Sequence, residues 1–197
     1  MLDQVLTWFD IKPDHDLNLM QVNQGLAELS ARALTGVNDL LARVKPDAVI
    51  VQGDTTTAAF AGLAAFYRRI PVGHVEAGLR TRNIYSPFPE EVNRRLTGVL
   101  ASLHFAPTSV AAEALFAEKV DPASVFTVGN TVVGALRLTV ERRDEIQAAI
   151  ELGNDFDGPS PSKRLVLVTA HRRESFGSPF EGICQAIRDL VERNPEI

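Results

Sequence analysis

An α/β fold built on a Rossmann-like parallel sheet is what this sequence predicts, and three observations carry that expectation. Short apolar, β-branched runs alternate with segments of helical period along nearly the whole chain. One such run, Ala48-Val49-Ile50-Val51, is apolar at every position, as in a parallel strand covered on both faces. Polar turns follow several of the runs, and in parallel α/β sheets ligands bind beyond the carboxyl ends of the strands.

Taken in order, Leu2, Val5, Leu6 and Phe9 recur at helical spacing, and Pro13 with Asp14-His15-Asp16 ends that helix. Residues 16–21 alternate weakly and read as extended. Leu26, Leu29, Ala33, Val37, Leu40, Leu41 and Val44 line one face of a long helix, with Glu28, Arg32, Asp39 and Arg43 on the other. After the 48–51 strand, Gly53-Asp54-Thr55-Thr56-Thr57 opens an Ala-rich helix ending near Arg69. The next strand spans 72–75. A helix from Pro89 to about Leu100 carries its proline at a tolerated first-turn position. A strand over 103–106 leads to Thr108, a cap for the helix that runs to Lys119. A strand over 125–128 is followed by Gly129-Asn130-Thr131 and a helix through about Ile150. Beyond residues 153–163 the pattern predicts a strand over 165–168, a polar loop over 171–177, and a helix to about Arg193. Ser178 reads as the cap of that last helix, with Glu181 three residues on and Pro179 at its start.

The Gly, Pro and polar residues of 153–163 read as a linker. Residues 1–152 would then be most of a first domain lacking its first strand, and 164–197 the start of a second. The opening helix has no strand before it, and one strand with one helix cannot bury a core. Both ends read as cut, so we expect an internal piece of a larger two-domain protein. The chain has 197 residues, 45% hydrophobic and 23% charged, which is a globular composition. A net charge of −5 without a long basic run argues against nucleic acid or an anionic membrane as the main partner. The longest strongly apolar stretch, 58–67, is too short to span a bilayer, and no secretory signal opens the chain. A single Cys184 excludes an internal disulfide framework, which favours the reducing cytoplasm.

Chemistry concentrates in residues 74–95, where Glu76, Glu90 and Glu91 stand among Arg80, Arg82, Arg94, Arg95 and His74. Asp54, directly before a helix, reads either as its cap or as a catalytic carboxylate. Glu76, just past a buried strand, is either partly desolvated and suited to general acid–base work or a solvated partner of Arg80. Glu90 and Glu91 precede Arg94 and Arg95 by four residues each, the spacing of surface ion pairs. Adjacent pairs point about 100° apart on a helix, so one of them faces inward. His171 with Arg172 and Arg173, between a strand and a helix start, offers donors for a diphosphate. His15 and His104 are isolated, Ser86 lacks a nucleophile's context, and no G-x-G-x-x-G or metal-ligand spacing is present. The residues alone describe an enzyme that binds a phosphorylated ligand and moves protons with carboxylates.

Five segments carry a resemblance: VQGDTTT (51–57), PVGHVEAGLRT (71–81), SPFPEEVNRRLTG (86–98), GNTVVGAL (129–136) and VTAHRRESFG (168–177). In this order they resemble the bacterial non-hydrolysing UDP-N-acetylglucosamine 2-epimerases, essentially from Met1 to Ile197. The resemblance implies a two-domain fold of the glycosyltransferase-B type with its active site in the interdomain cleft. It implies interconversion of UDP-N-acetylglucosamine and UDP-N-acetylmannosamine by anti elimination of UDP and re-addition through a 2-acetamidoglucal. No cofactor or metal would be needed, and the full-length enzyme would be a cytoplasmic homodimer. Inverting C2 takes a proton from one face and delivers another to the opposite face, so at least two acid–base groups must flank the sugar. By resemblance these are Asp54, Glu76 and Glu90, with His171 near the diphosphate and Asn130, Arg172 and Glu174 binding substrate. Arg94 we expect to bind substrate and to orient Glu90, one turn away, while Glu91 and Arg95 keep the ion-pair reading. The family's second, activating UDP-N-acetylglucosamine site is matched by Gln24, although Asn23 replaces an Arg seen beside it in relatives. The family's Gly-Thr-Arg-Pro-Glu loop, a Gln-His pair and the second domain's Ser-Gly-Gly and Glu-Glu contacts have no counterpart in the sequence. Two rival readings are a hydrolysing 2-epimerase that releases N-acetylmannosamine, and a non-catalytic nucleotide-sugar-binding protein.

Overall fold

Right-handed crossovers between strands that are neighbours in both sequence and space put every connecting helix on one face of a sheet. That rule shapes this chain, whose computed structural model describes residues 2–142, 164, 166–170 and 177–196. Strands β1 (Val49–Gln52), β2 (Val72–Val75), β3 (Leu103–Ala106) and β4 (Val125–Thr127) pair in parallel in the order β1-β2-β3-β4. Helices α3 (Thr56–Tyr67), α4 (Glu90–Leu100) and α5 (Ser109–Ala117) make the crossovers. Helices α1 (Leu2–Trp8) and α2 (Leu26–Val44) come before the sheet, and α6 (Thr131–Glu141) and α7 (Ser178–Arg193) after it. The α/β class and parallel sheet expected from the sequence are therefore present.

Register places Val51, His74, His104 and Val125 side by side across all four strands. Strand alternation puts these on the same face as Val72 and Ala106. On that face Val51 and Val72 pack with Leu41 of α2 and Ala58, Ala64 and Ala65 of α3. A second cluster joins Ala106 to Ala111 and Ala112 of α5, with Leu79 and Val125 against it. Small residues on α3 and α5 let the helices lie close to the strands, and Gly62 keeps its helix near Val72. Caps fix where these helices begin: the Thr55 hydroxyl accepts from the Ala58 amide at 3.1 Å, and Thr108 from Ala111 at 3.2 Å.

The opposite face differs from the sequence expectation. Ile50 is 71% exposed, Phe126 45% and Leu103 43%, so β1 is buried on one face only. The cause is topological, since α3, α4 and α5 all lie on the other side. Phe105 and Phe126 stack on this open face with centroids 5.9 Å apart. Residues 16–21 form no strand, and neither do Val166, Leu167 and Val168 among the described residues. A strand without a neighbour to pair with has no ladder to hold it. Gly177, not Ser178, is the N-cap residue of α7, and Pro179 stands in its first turn. At the other end, the Arg142 guanidinium lies 4.5 Å over the Trp8 ring and donates to the Trp8 carbonyl at 2.8 Å, tying the end of α6 to α1. Among the described residues no helix is long and apolar enough to cross a membrane. The expected linker, 153–163, lies outside them.

Candidate active site

The site forms where β1 and β2 end. At the end of β1 the chain turns through Gly53, whose φ of +71° suits a residue without Cβ. Its amide donates to the Val75 carbonyl at 3.0 Å, and its carbonyl meets His74 Nε2 at 2.8 Å. A carbonyl only accepts, so Nε2 carries the proton in this contact. The turn delivers Asp54 to the rim of the sheet. Asp54 is not the helix cap, because Thr55 holds that position. Its carboxylate pairs with Arg94 instead, and its backbone carbonyl accepts from Asn93 Nδ2 at 2.9 Å.

At the end of β2, Glu76 has a φ of +67°. A strained backbone of this kind persists only where the surroundings hold it. Here Ala77 donates to the Phe105 carbonyl at 3.1 Å, and Gly78 has a φ of +89° that brings the loop against α5. A Cβ on Gly78 would meet the Ala111 carbonyl oxygen at 2.1 Å. The turned loop puts Glu76 Oε2 3.4 Å from where a Cβ on Gly53 would stand. Glu76 therefore leans over the β1 turn, beside Asp54. It does not pair with Arg80, which donates to both oxygens of Glu118 at 2.7 and 2.8 Å. That guanidinium holds the Glu118 carboxyl below its ordinary range.

Helix α4 supplies the third side. Neither of the i,i+4 ion pairs suggested by the sequence forms among the described residues. Glu91 is the inward residue and is fully buried. Its Oε2 accepts from the Thr81 amide at 3.0 Å and its Oε1 from the Arg82 amide at 3.2 Å. Arg94, 9% exposed, places Nη1 3.4 Å from Glu91 Oε2 and Nη2 on Asp54. The expectation that Arg94 orients Glu90 is corrected: one helical turn separates them, but the guanidinium points to the β1 turn. Glu90 is half-buried at the first residue of α4. Among the described residues no hydrogen bond or ion pair holds the Glu76 or Glu90 carboxylate. The site thus has two carboxylates, Asp54 and Glu91, held by Arg94, and two, Glu76 and Glu90, without a partner among the described residues.

The remaining expected residues fall elsewhere or serve locally. Asn130 is exposed and caps α6 by accepting from the Val132 amide at 3.0 Å. Gln24 accepts from the Gln21 amide at 3.0 Å and from Arg32, which places Arg32 against this turn rather than on an outer face. His171, Arg172 and Glu174 lie outside the described residues. Sequence reasoning missed Asn93 and misplaced Glu91. The signal available for Glu91 was the angular offset between the adjacent pairs, which required one to turn inward without saying which. His104 is a core histidine, 2% exposed. Burial pushes the pKa of His74 and His104 down, Nδ1 of each having no hydrogen-bond partner. Among the described residues no group of three or more His, Cys, Asp and Glu side chains could hold a metal ion.

A carboxylate cluster at the strand ends of a parallel α/β sheet, beside a cationic anchor, defines a Rossmann-like domain with a candidate ligand site at the place where such sheets bind their ligands. Comparison with known proteins makes this specific. The family described as UDP-N-acetylglucosamine 2-epimerase matches residues 1–197, and the chain belongs to that family. The UDP-N-acetylglucosamine 2-epimerase of Salmonella typhimurium is 52% identical over 200 aligned residues, covering 100% of this chain and 53% of its own. A crystal structure of the Neisseria meningitidis UDP-GlcNAc 2-epimerase bound to UDP-GlcNAc superposes with a TM-score of 0.92 at 45% identity, covering 100% of this chain and 53% of that one. The Methanocaldococcus jannaschii enzyme in complex with UDP-GlcNAc and UDP gives 0.86 at 30% identity, over 98% and 52%. These neighbours bear out the expected glycosyltransferase-B type of fold. The chain spans about half the length of the relatives it matches.

Proposed function

We propose that the protein carrying this chain interconverts UDP-N-acetylglucosamine and UDP-N-acetylmannosamine. The observation that supports it is the asymmetry of the three carboxylates. Asp54 is paired with Arg94, while Glu76, on the loop after β2, and Glu90, at the start of α4, have no partner among the described residues. Epimerisation at C2 requires one group to remove a proton and a second to return one from the opposite face. Two unpaired carboxylates on separate segments suit that exchange. Anti elimination of UDP would give a 2-acetamidoglucal, and re-addition of UDP would complete inversion. His171, Arg172, Glu174 and Asn130 stabilise the diphosphate and position the substrate in this reading, consistent with the need for donors where leaving-group charge builds. Gln24 serves a second, activating UDP-N-acetylglucosamine. Residues 1–152 form most of the first domain and 164–197 begin the second, in a cytoplasmic homodimer that needs no cofactor.

The test is a nuclear magnetic resonance assay of the full-length protein with UDP-N-acetylglucosamine in D2O. UDP-N-acetylmannosamine deuterated at C2 is the expected product. Free N-acetylmannosamine accumulating with UDP would instead establish a hydrolysing enzyme, and no turnover would leave a nucleotide-sugar-binding protein.

A further inference from the structure

The geometry points to Glu91 as a positioning residue that sets Asp54 through Arg94 and locks the Glu76 loop to the same helix. This inference rests on the epimerase reading of the site. Three observations converge on it. First, Glu91 is a fully buried carboxylate, and burial of such a group is costly unless it is paired and hydrogen-bonded. All of its partners among the described residues belong to the site: the Thr81 and Arg82 amides at 3.0 and 3.2 Å, and Arg94 at 3.4 Å. Second, Arg94 is shared. Its two terminal nitrogens go to different carboxylates, Nη1 to Glu91 and Nη2 to Asp54, so the planar fork acts as a spacer between them. Third, the segments so joined are the three that carry the proton-transfer groups. Asp54 lies on the turn after β1, Glu76 on the loop that runs into Thr81 and Arg82, and Glu90 is the residue before Glu91.

Without Glu91, Arg94 would lose one of its two anchors, and the amides of Thr81 and Arg82 would lose their acceptor. Asp54 would keep its cation but not its direction, and the Glu76 loop would be free to shift against α4. Misplacement on the order of 1 Å in a site of this kind costs about 100-fold in rate. Binding of the nucleotide should survive, because the Glu91 side chain is fully buried and offers no surface to a ligand.

The experiment uses the full-length protein and three measurements on Glu91→Gln: kcat and KM with UDP-N-acetylglucosamine, affinity for UDP, and Tm. Gln preserves shape but supplies one acceptor oxygen and no charge. The expected result is a kcat lower by about 100-fold, with KM and UDP affinity within about 3-fold of the parent and protein still folded. Glu91→Asp, which keeps the charge on a shorter stem, should recover part of kcat. A role in folding alone would lower Tm and leave kcat per folded molecule intact, and that result overturns the inference, as does a parent-like kcat in Glu91→Gln. Should Glu91→Gln fail to fold, Arg94→Lys reads the same link, because a single ammonium cannot span both carboxylates. A parent-like kcat there also overturns it. A parent protein that does not turn over at all defeats the epimerase reading itself, and this inference with it.

Discussion

Glu90 and Glu91 are adjacent and chemically identical, yet the fold gives them opposite tasks. Glu91 is consumed by two amides and a guanidinium, whereas Glu90 has no partner among the described residues. Glu76 shares that freedom, so neither Glu76 nor Glu90 contributes an interaction that its removal would break. Glu76→Gln and Glu90→Gln in the full-length protein should each lower kcat by about 100-fold or more while Tm changes by no more than about 2 °C. Steady-state kinetics alongside calorimetry would read both, and a Tm collapse in either would show that the residue is structural. The two buried histidines make a separate prediction. His74 and His104 stand side by side on neighbouring strands, and burial lowers the pKa of each below the ordinary 6.5. The unfolded chain therefore binds more protons than the folded one just below that value. Stability is full above about pH 7 and falls as pH drops through 6.5 toward the folded pKa. Thermal unfolding followed between about pH 7.5 and about pH 5.5 should show this slope, and His104→Gln should flatten it.

At the scale of elements, the loop after β2 and the helix starts carry the precision of the site. Gly78 combines a φ of +89° with a Cβ position 2.1 Å from a backbone oxygen of α5. Gly78→Ala must strain the loop and push α5 away, at a cost of about 3 kcal/mol. Thr55→Ala and Thr108→Ala remove one cap each and should cost about 1 kcal/mol apiece. Urea unfolding of the three variants would rank them, and a Gly78→Ala as mild as the cap variants would mean the loop does not approach α5 so closely. Most element boundaries were legible because helical period, turn residues and capping hydroxyls are local signals. Thr108 was read correctly as a cap, whereas Asp54 was a plausible cap that lost to Thr55. Both side chains are cap formers one residue apart, and only the turn at Gly53 decides which one faces the helix amides. Val166, Leu167 and Val168, expected in a strand and found in none, illustrate the limit, since a strand exists only through its neighbours.

For the whole molecule, the sheet order β1-β2-β3-β4 makes burial one-sided. Val72, 1% exposed, and Ile50, 71% exposed, are both β-branched residues in adjacent strands that look alike in sequence. Val72→Ala should therefore cost about 2 kcal/mol and Ile50→Ala no more than about 0.5 kcal/mol, measured by denaturant unfolding of this chain. Equal costs would mean that the face bearing Ile50 is also covered. The sequence by itself determined the α/β class, the order of the helices and of β1 to β4, the family, and the residue types clustered in 74–95, because periodicity and motif are written in consecutive residues. Only the tertiary structure decided that Arg94 serves Asp54 rather than Glu90, that Glu91 is the inward carboxylate, and that Arg80 belongs to Glu118. Most of those partners are distant along the chain, at separations of 40 residues for Arg94 and Asp54 and 38 for Arg80 and Glu118. The phase of a helix against its sheet, not the local pattern, chooses between neighbouring charges, and that phase is set by packing.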